Sequence, residues 1–201
     1  ATQNKDFFIF TSAKQGPSQL GAQVIFAKSV PYAIVNDAMH YFKKNDFQVI
    51  TYSSTFIIVR VAATYFQAYI VSAHAPHGAR QDQQCLPTWW KDFESALQIL
   101  RKDIPCYIGF DPNATVGEIT SSAIGACRPA KENTAAEHLH AFLIKKKMCL
   151  PSTFNHQGSH VTYLKDGGKR IDYVAVPLRD LPAVRRSHVI EDFVMPVKDH
   201  L

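Results

Sequence analysis

The chain has 201 residues, 46% of them hydrophobic, with a formal charge of +5 and a sequence pI near 9.0. This is enough apolar material for one compact core, and residues 1–201 read as a single domain. No stretch approaches the ~18 consecutive apolar residues of a membrane helix, so the expectation is no membrane contact, and the four cysteines read as reduced thiols of an intracellular protein, nuclear or cytoplasmic.

The first apolar runs, "DFFIFTSA" (6–13) and "AQVIFAKS" (22–29), flank a turn-rich segment and read as two strands of a hairpin or meander. Residues 33–47 fit either a short helix or an irregular connection. From 48 onward "QVITYSS", "TFIIVRVAA" and "YFQAYIVSAHAP" are rich in β-branched and aromatic residues with brief polar breaks, as in an antiparallel meander. In "PTWWKDFESALQILRKD" (87–103) the period changes, setting Trp89, Trp90, Phe93, Ala96, Leu97 and Leu100 on one helical stripe behind Pro87. "CYIGFD" returns to strand, and a loop rich in small residues runs from 113 to about 132.

A second helix follows in "NTAAEHLHAFLIKKK", with Thr134 and Glu137 spaced as a capping box. Leu139, Phe142 and Leu143 would face inward, and the lysines at 145–147 would complement the C-terminal dipole. "MCLPSTF", "SHVTYLKDGGKRIDYVAVP" and "SHVIEDFVMP" read as further strands. Strands in runs with two helices between them indicate an α+β fold of two packed, mainly antiparallel sheets with helices outside. Cys85, Cys106, Cys127 and Cys149 form no C-x-x-C pair, which leaves reduced thiols rather than a zinc site or redox dithiol.

Candidate chemistry gathers where strands run into loops. His74 follows "AYIV" in "VSAHAPHG"; Asp111 and Asn113 close "CYIGFD" in "DPNATVG"; Asp199 and His200 close "VMPVKDHL". Asp172 opens the strand "IDYVAV", on the same face as Val174 and Val176, which implies a half-buried carboxylate in need of a cationic or hydrogen-bonding partner. Each motif alone also fits a structural role: "DPN" is a common Asx or proline turn, a histidine before a proline is often only hydrogen-bonded, and Asp172 has Arg170 two residues away.

The order "SAHAP", "FDPNA", "VTY" with "KRIDYV", then "KDH" resembles the endonuclease/exonuclease/phosphatase superfamily, with its DNase I-like four-layer α/β sandwich. The similarity runs from about residue 6 nearly to the end, and "SAHAPH", "NATVG" and "MCLPSTF" look most like the endonuclease domains of non-LTR retrotransposon and reverse-transcriptase proteins. The resemblance implies metal-dependent hydrolysis of DNA phosphodiesters. Asp111 would orient or deprotonate the attacking water, and Asn113 would hold water and phosphate in line. His200 would bond the phosphate as imidazolium with Asp172 fixing its ring, His74 would be a second donor, and Asp199 would help bind Mg²⁺, or Mn²⁺ in its place. It further implies DNA as partner, a monomer, and a reverse-transcriptase domain elsewhere in the protein.

Several family features are missing. No strand bearing an Asn and no strand ending in a metal-binding Gln-Glu precedes "DFFIF", and Glu94, Glu118, Glu132, Glu137 and Glu191 are poorly placed to substitute. Phe110 separates Gly109 from Asp111, and Lys198 stands where the family often has Ser. The expectation is a piece truncated at both ends that binds Mg²⁺ poorly and has little or no activity. Two alternatives keep the fold: a phosphatase or phosphodiesterase acting on a phospholipid or nucleotide, or a non-catalytic remnant that binds nucleic acid or protein.

Overall fold

The computed structural model describes residues 2–12, 21–77, 84–165 and 167–190. Their contacts divide into two compact units: Ala1–His74 with Ser95–Tyr107, and Ala75–Glu94 with Ile108–Leu201.

In the first unit, strands β1 (Thr2–Gln3), β2 (Phe7–Thr11) and β3 (Gln23–Ala27) form an antiparallel sheet, with Phe8 opposite Phe26 and Phe10 opposite Val24. The stretch 33–47, which fits helix or irregular connection by sequence, is a hairpin over its first half and only then an irregular connection with one 3-10 turn. Strands β4 (Ala33–Val35) and β5 (Ala38–His40) pair as a hairpin whose two loop residues, Asn36 and Asp37, have φ of 49° and 62°. Asn and Asp tolerate this left-handed region, and a two-residue loop with both φ positive matches the twist of a hairpin. A 3-10 turn at Lys44–Asp46 then leads into a meander of β6 (Phe47–Tyr52), β7 (Phe56–Ala63) and β8 (Phe66–His74).

The nearly unbroken apolar run of β7 is explained by burial of both its faces: Ile57, Ile58, Val59 and Val61 are all at most 1% exposed. Ile57 and Val59 share a core with Phe10 and Val24, against which Phe8, Phe26 and Phe47 pack. The Phe47 ring lies 4.5–5.3 Å from those of Phe8, Phe10, Phe26 and Phe42.

Helix α1 (Cys85–Gln98) buries Trp90, Phe93 and Leu97 of its predicted stripe and Leu86 before it, with Pro87 tolerated in the first turn where its missing N–H costs nothing. Strand β9 (Cys106–Asp111) follows. Helix α2 (Thr134–Lys146) buries Leu139, Phe142 and Leu143, and the Phe142 ring packs on Trp90, Phe93 and Phe110. Its C-terminus ends on left-handed Lys147, whose N–H reaches the carbonyls of Leu143 and Ile144, while Lys145 pairs with Glu94 of α1.

The expected capping box is absent. The N-cap is Asn133, Thr134 is already helical, and no side chain caps the end, because the Asn133 amide is engaged with the loop before it.

The later chain holds less strand than its apolar content suggests. Strand β10 is only Met148–Cys149, and Pro151–Thr153 turns away as 3-10 helix. Strand β11 (Tyr173–Pro177) pairs with both β10 and β9, and before it Tyr163 and Lys169 make an isolated bridge. Residues 187–190 form no strand, and 191–196 lie outside the described residues.

Polar hubs replace ladders here. Thr153, fully buried, accepts the Gly125 N–H at 2.8 Å and donates to the Leu150 carbonyl at 2.7 Å. Arg170, 4% exposed, directs its guanidinium to the carbonyls of Ser152, Cys127 and Arg128 at 2.8–3.1 Å. The four cysteines are free thiols, and among the described residues no helix is long and apolar enough to cross a membrane.

Candidate active site

Strands β9 and β11 run antiparallel with Ile108 opposite Ala175, Gly109 opposite Val174 and Phe110 opposite Tyr173. The buried face carries Ile108, Phe110, Tyr173 and Ala175. Asp172 is half-buried, as expected, and Val176 on its face is buried, but Val174 between them is 59% exposed, so the more fully covered side is that of Ile171, Tyr173 and Ala175. One step beyond the last pair, the register sets Asp172 level with Asp111, so two half-buried carboxylates leave the same end of one strand pair.

Beyond Asp111 the chain closes an Asx turn. The Asp111 carboxylate accepts the Asn113 N–H at 2.8 Å, and Asn113 sits at φ 51°, a left-handed conformation that asparagine tolerates. The Asn113 side-chain amide donates to the Ala75 carbonyl at 2.8 Å, while the Ala75 N–H donates to the Asp111 carbonyl at 2.8 Å. "DPN" is thus a structural turn, and the same bonds hold two functional groups still. A carboxylate has a second oxygen and a primary amide a second N–H, so the turn does not consume the chemistry of either residue.

Asp172 is fixed through its backbone. The Thr162 hydroxyl oxygen accepts the N–H groups of Ile171 and Asp172, both at 3.1 Å. The Tyr173 hydroxyl donates to the Arg170 carbonyl at 2.7 Å and lies 3.1 Å from the Ala114 carbonyl, tying the head of β11 to the Asp111 turn. Burial pushes the Tyr173 phenol well above its usual pKa; Arg170 opposes this, and the charges of Asp172 and Asp111 add to it. Both carboxylates therefore act on one phenol, as expected if they share a locality.

His74 ends β8 in the first unit, where its backbone N–H donates to the Thr55 carbonyl at 2.8 Å and its side chain is exposed. Asp199 and His200 lie outside the described residues. Among the described residues no group of three or more His, Cys, Asp or Glu could hold a metal ion. Asp111 and Asp172 offer hard oxygens of the kind Mg²⁺ takes, in insufficient number to form a site by themselves. Glu132 accepts N–H groups from Gly117 and Ile119, and Glu118 accepts that of Glu132, so both glutamates bind backbone.

Three supporting residues escaped the sequence reading as site elements: Thr162, Tyr173 and Asn133. The first two stand inside "VTY" and "RIDY", which are visible motifs; Asn133 stands beside a helix start and reads there as a cap.

Comparison with solved structures settles the architecture. The endonuclease domain of TRAS1, a telomere-specific non-LTR retrotransposon, aligns at TM-score 0.56 and 14% identity over 88% of this chain and 69% of that one. The fold is that of the endonuclease/exonuclease/phosphatase family. A protein of this family from Leptotrichia buccalis aligns at TM-score 0.54 and 12% identity, covering 94% of this chain and 66% of that one. The 3' phosphatase NExo from Neisseria, bound to a product DNA hairpin, aligns at TM-score 0.55 and 10% identity, with coverage of 88% and 69%. No protein-family model and no curated protein matches the chain.

Proposed function

We propose that the chain is a hydrolase of DNA phosphodiesters, an endonuclease that nicks DNA for a retroelement whose protein also carries a reverse transcriptase. The observation that carries this reading is the placement of Asp111, Asn113 and Asp172 at one end of the β9–β11 pair, on a fold shared with nucleases and phosphatases. The formal charge of +5 suits a polyanionic substrate.

In this reading the second oxygen of Asp111 takes a proton from water as its oxygen attacks phosphorus. The second N–H of Asn113 donates to a nonbridging phosphate oxygen, where negative charge grows as water adds to phosphorus; the bridging oxygen then departs with the electron pair of the broken phosphorus–oxygen bond and takes a proton from solvent. Asp172 orients a cationic donor, for which His200 is the proposed residue. Mg²⁺ is the cation this reading implies, to neutralise charge on the phosphate, and the described residues do not by themselves assemble a site for it. Chelation is expected to abolish cleavage.

Nicking of supercoiled plasmid tests the proposal. Asp111→Ala should lower the rate about 10²- to 10⁴-fold with an unchanged circular dichroism spectrum. An undiminished rate in a folded Asp111→Ala protein would rule the mechanism out. DNA binding without any cleavage by the parent would favour the non-catalytic remnant instead.

A further inference from the structure

The loop from 113 to 119 has almost no regular structure, yet it is secured along its length by the four residues before α2. The Ala130 N–H donates to the Val116 carbonyl at 3.1 Å, and the Thr115 hydroxyl donates to the Lys131 carbonyl at 2.7 Å. Glu132, its side chain 10% exposed, accepts the N–H groups of Gly117 at 3.2 Å and Ile119 at 3.0 Å and pairs with His140 of α2 at 3.3 Å. Asn133 completes the series: its amide nitrogen donates to the Asn113 carbonyl at 2.8 Å and its amide oxygen accepts the Thr115 N–H at 3.3 Å.

The position of Asn133 makes the last contact informative. As N-cap of α2 its side chain would ordinarily turn inward and accept an N–H from the first helical turn, an interaction typically worth about 1 kcal/mol. Here it does not cap, and reaches instead to a residue twenty positions earlier. The bond it makes there falls on the backbone of Asn113, the residue held at a left-handed φ of 51°. With the Asn113 N–H held by Asp111, its carbonyl by Asn133 and its side chain by Ala75, the peptide groups on both sides of Asn113 have fixed directions.

We propose that Asn133 is a positioning residue for the hydrolysis: it forgoes helix capping to lock the Asn113 backbone, and so aims the Asn113 amide at the phosphate. The proposal rests on the nuclease reading above and adds a residue to it that touches no substrate.

Two variants separate this from a merely structural role. Asn133→Ser keeps a good helix cap but is too short to reach Asn113; Asn133→Asp keeps the acceptor for Thr115 and sets an oxygen against the Asn113 carbonyl. Plasmid nicking is measured well below each variant's melting temperature. The expected result is a kcat lowered roughly 10- to 100-fold with KM for DNA within about 2-fold. In nitrogen-15 NMR spectra the backbone and side-chain amide resonances of Asn113 should shift in both variants. Unshifted Asn113 resonances, or kcat within about 2-fold of the parent in both variants while Asp111→Ala abolishes nicking, would overturn it. If Asp111→Ala leaves nicking intact, the nuclease reading fails, and the Asn113 resonances still decide whether Asn133 holds that backbone.

Discussion

The β6–β8 meander and the segment from 111 to 133 are held in opposite ways. The meander is regular, and its central strand is secured by aliphatic side chains at most 1% exposed. The second segment forms almost no ladder and relies on side chains meeting backbone: Asp111 on Asn113, Asn133 on Asn113 and Thr115, Glu132 on Gly117 and Ile119. Burial is non-directional and supplies bulk stability; hydrogen bonds are directional and supply aim. A site that must present one amide and one carboxylate at fixed angles is better served by the second.

That contrast is open to breaking from its strongest end. Ile58→Ala removes a fully buried side chain from β7 and should cost about 3 kcal/mol or more in urea denaturation, with nicking unchanged at a temperature where the protein is folded. A large loss of turnover without a loss of stability in this variant would blur the distinction. Arg170→Ala leaves the carbonyls of Ser152, Cys127 and Arg128 without their donor and should cost about 3 kcal/mol as well, with turnover falling at the same time because the head of β11 is freed.

Smaller effects sharpen the comparison. Burial pulls the Glu132 carboxyl up, but the N–H of Ile119, the His140 ring and the N–H of Gly117 outweigh it and hold the pKa below the ordinary value of 4.5. A depressed carboxylate stabilises the fold above its unfolded pKa and loses that contribution as pH falls through the lower folded value. Glu132→Gln should therefore cost about 1 kcal/mol at pH 7 and flatten the acid side of the stability curve, which denaturation at a series of pH values would reveal. An acid limb identical to that of the parent would contradict the brace.

Burial pushes the Cys149 thiol up to about 11, with Asp180 adding, so a maleimide should label Cys149 only in denaturant. Lys145→Ala breaks an exposed ion pair with Glu94 and should change stability by less than about 1 kcal/mol.

How much of this was legible in the sequence follows the same division. The meander, the two helices and the inward positions Trp90, Phe93, Leu139, Phe142 and Leu143 could be read because apolar periodicity reports burial. The β4–β5 hairpin could not, since its signal was two residues, Asn36 and Asp37, at positive φ inside a mixed segment. Thr134 and Glu137 matched a capping box, yet the cap position belongs to Asn133, whose side chain answers to a loop twenty residues back. Local rules fail where a distant partner competes for the same group. The half-buried state of Asp172 could be read, but the exposure of Val174 could not: alternation shows which residues share a side, and only the pairing with β9 shows how far each side is covered.

Plasmid nicking by an Asp172→Asn protein, compared with the parent and with the parent in chelator, tests the central claim most directly. The substitution keeps the shape of the side chain and removes its charge. The account predicts a folded protein with nicking reduced at least about 100-fold, to the level seen in chelator. A folded Asp172→Asn protein that nicks as fast as the parent would contradict it.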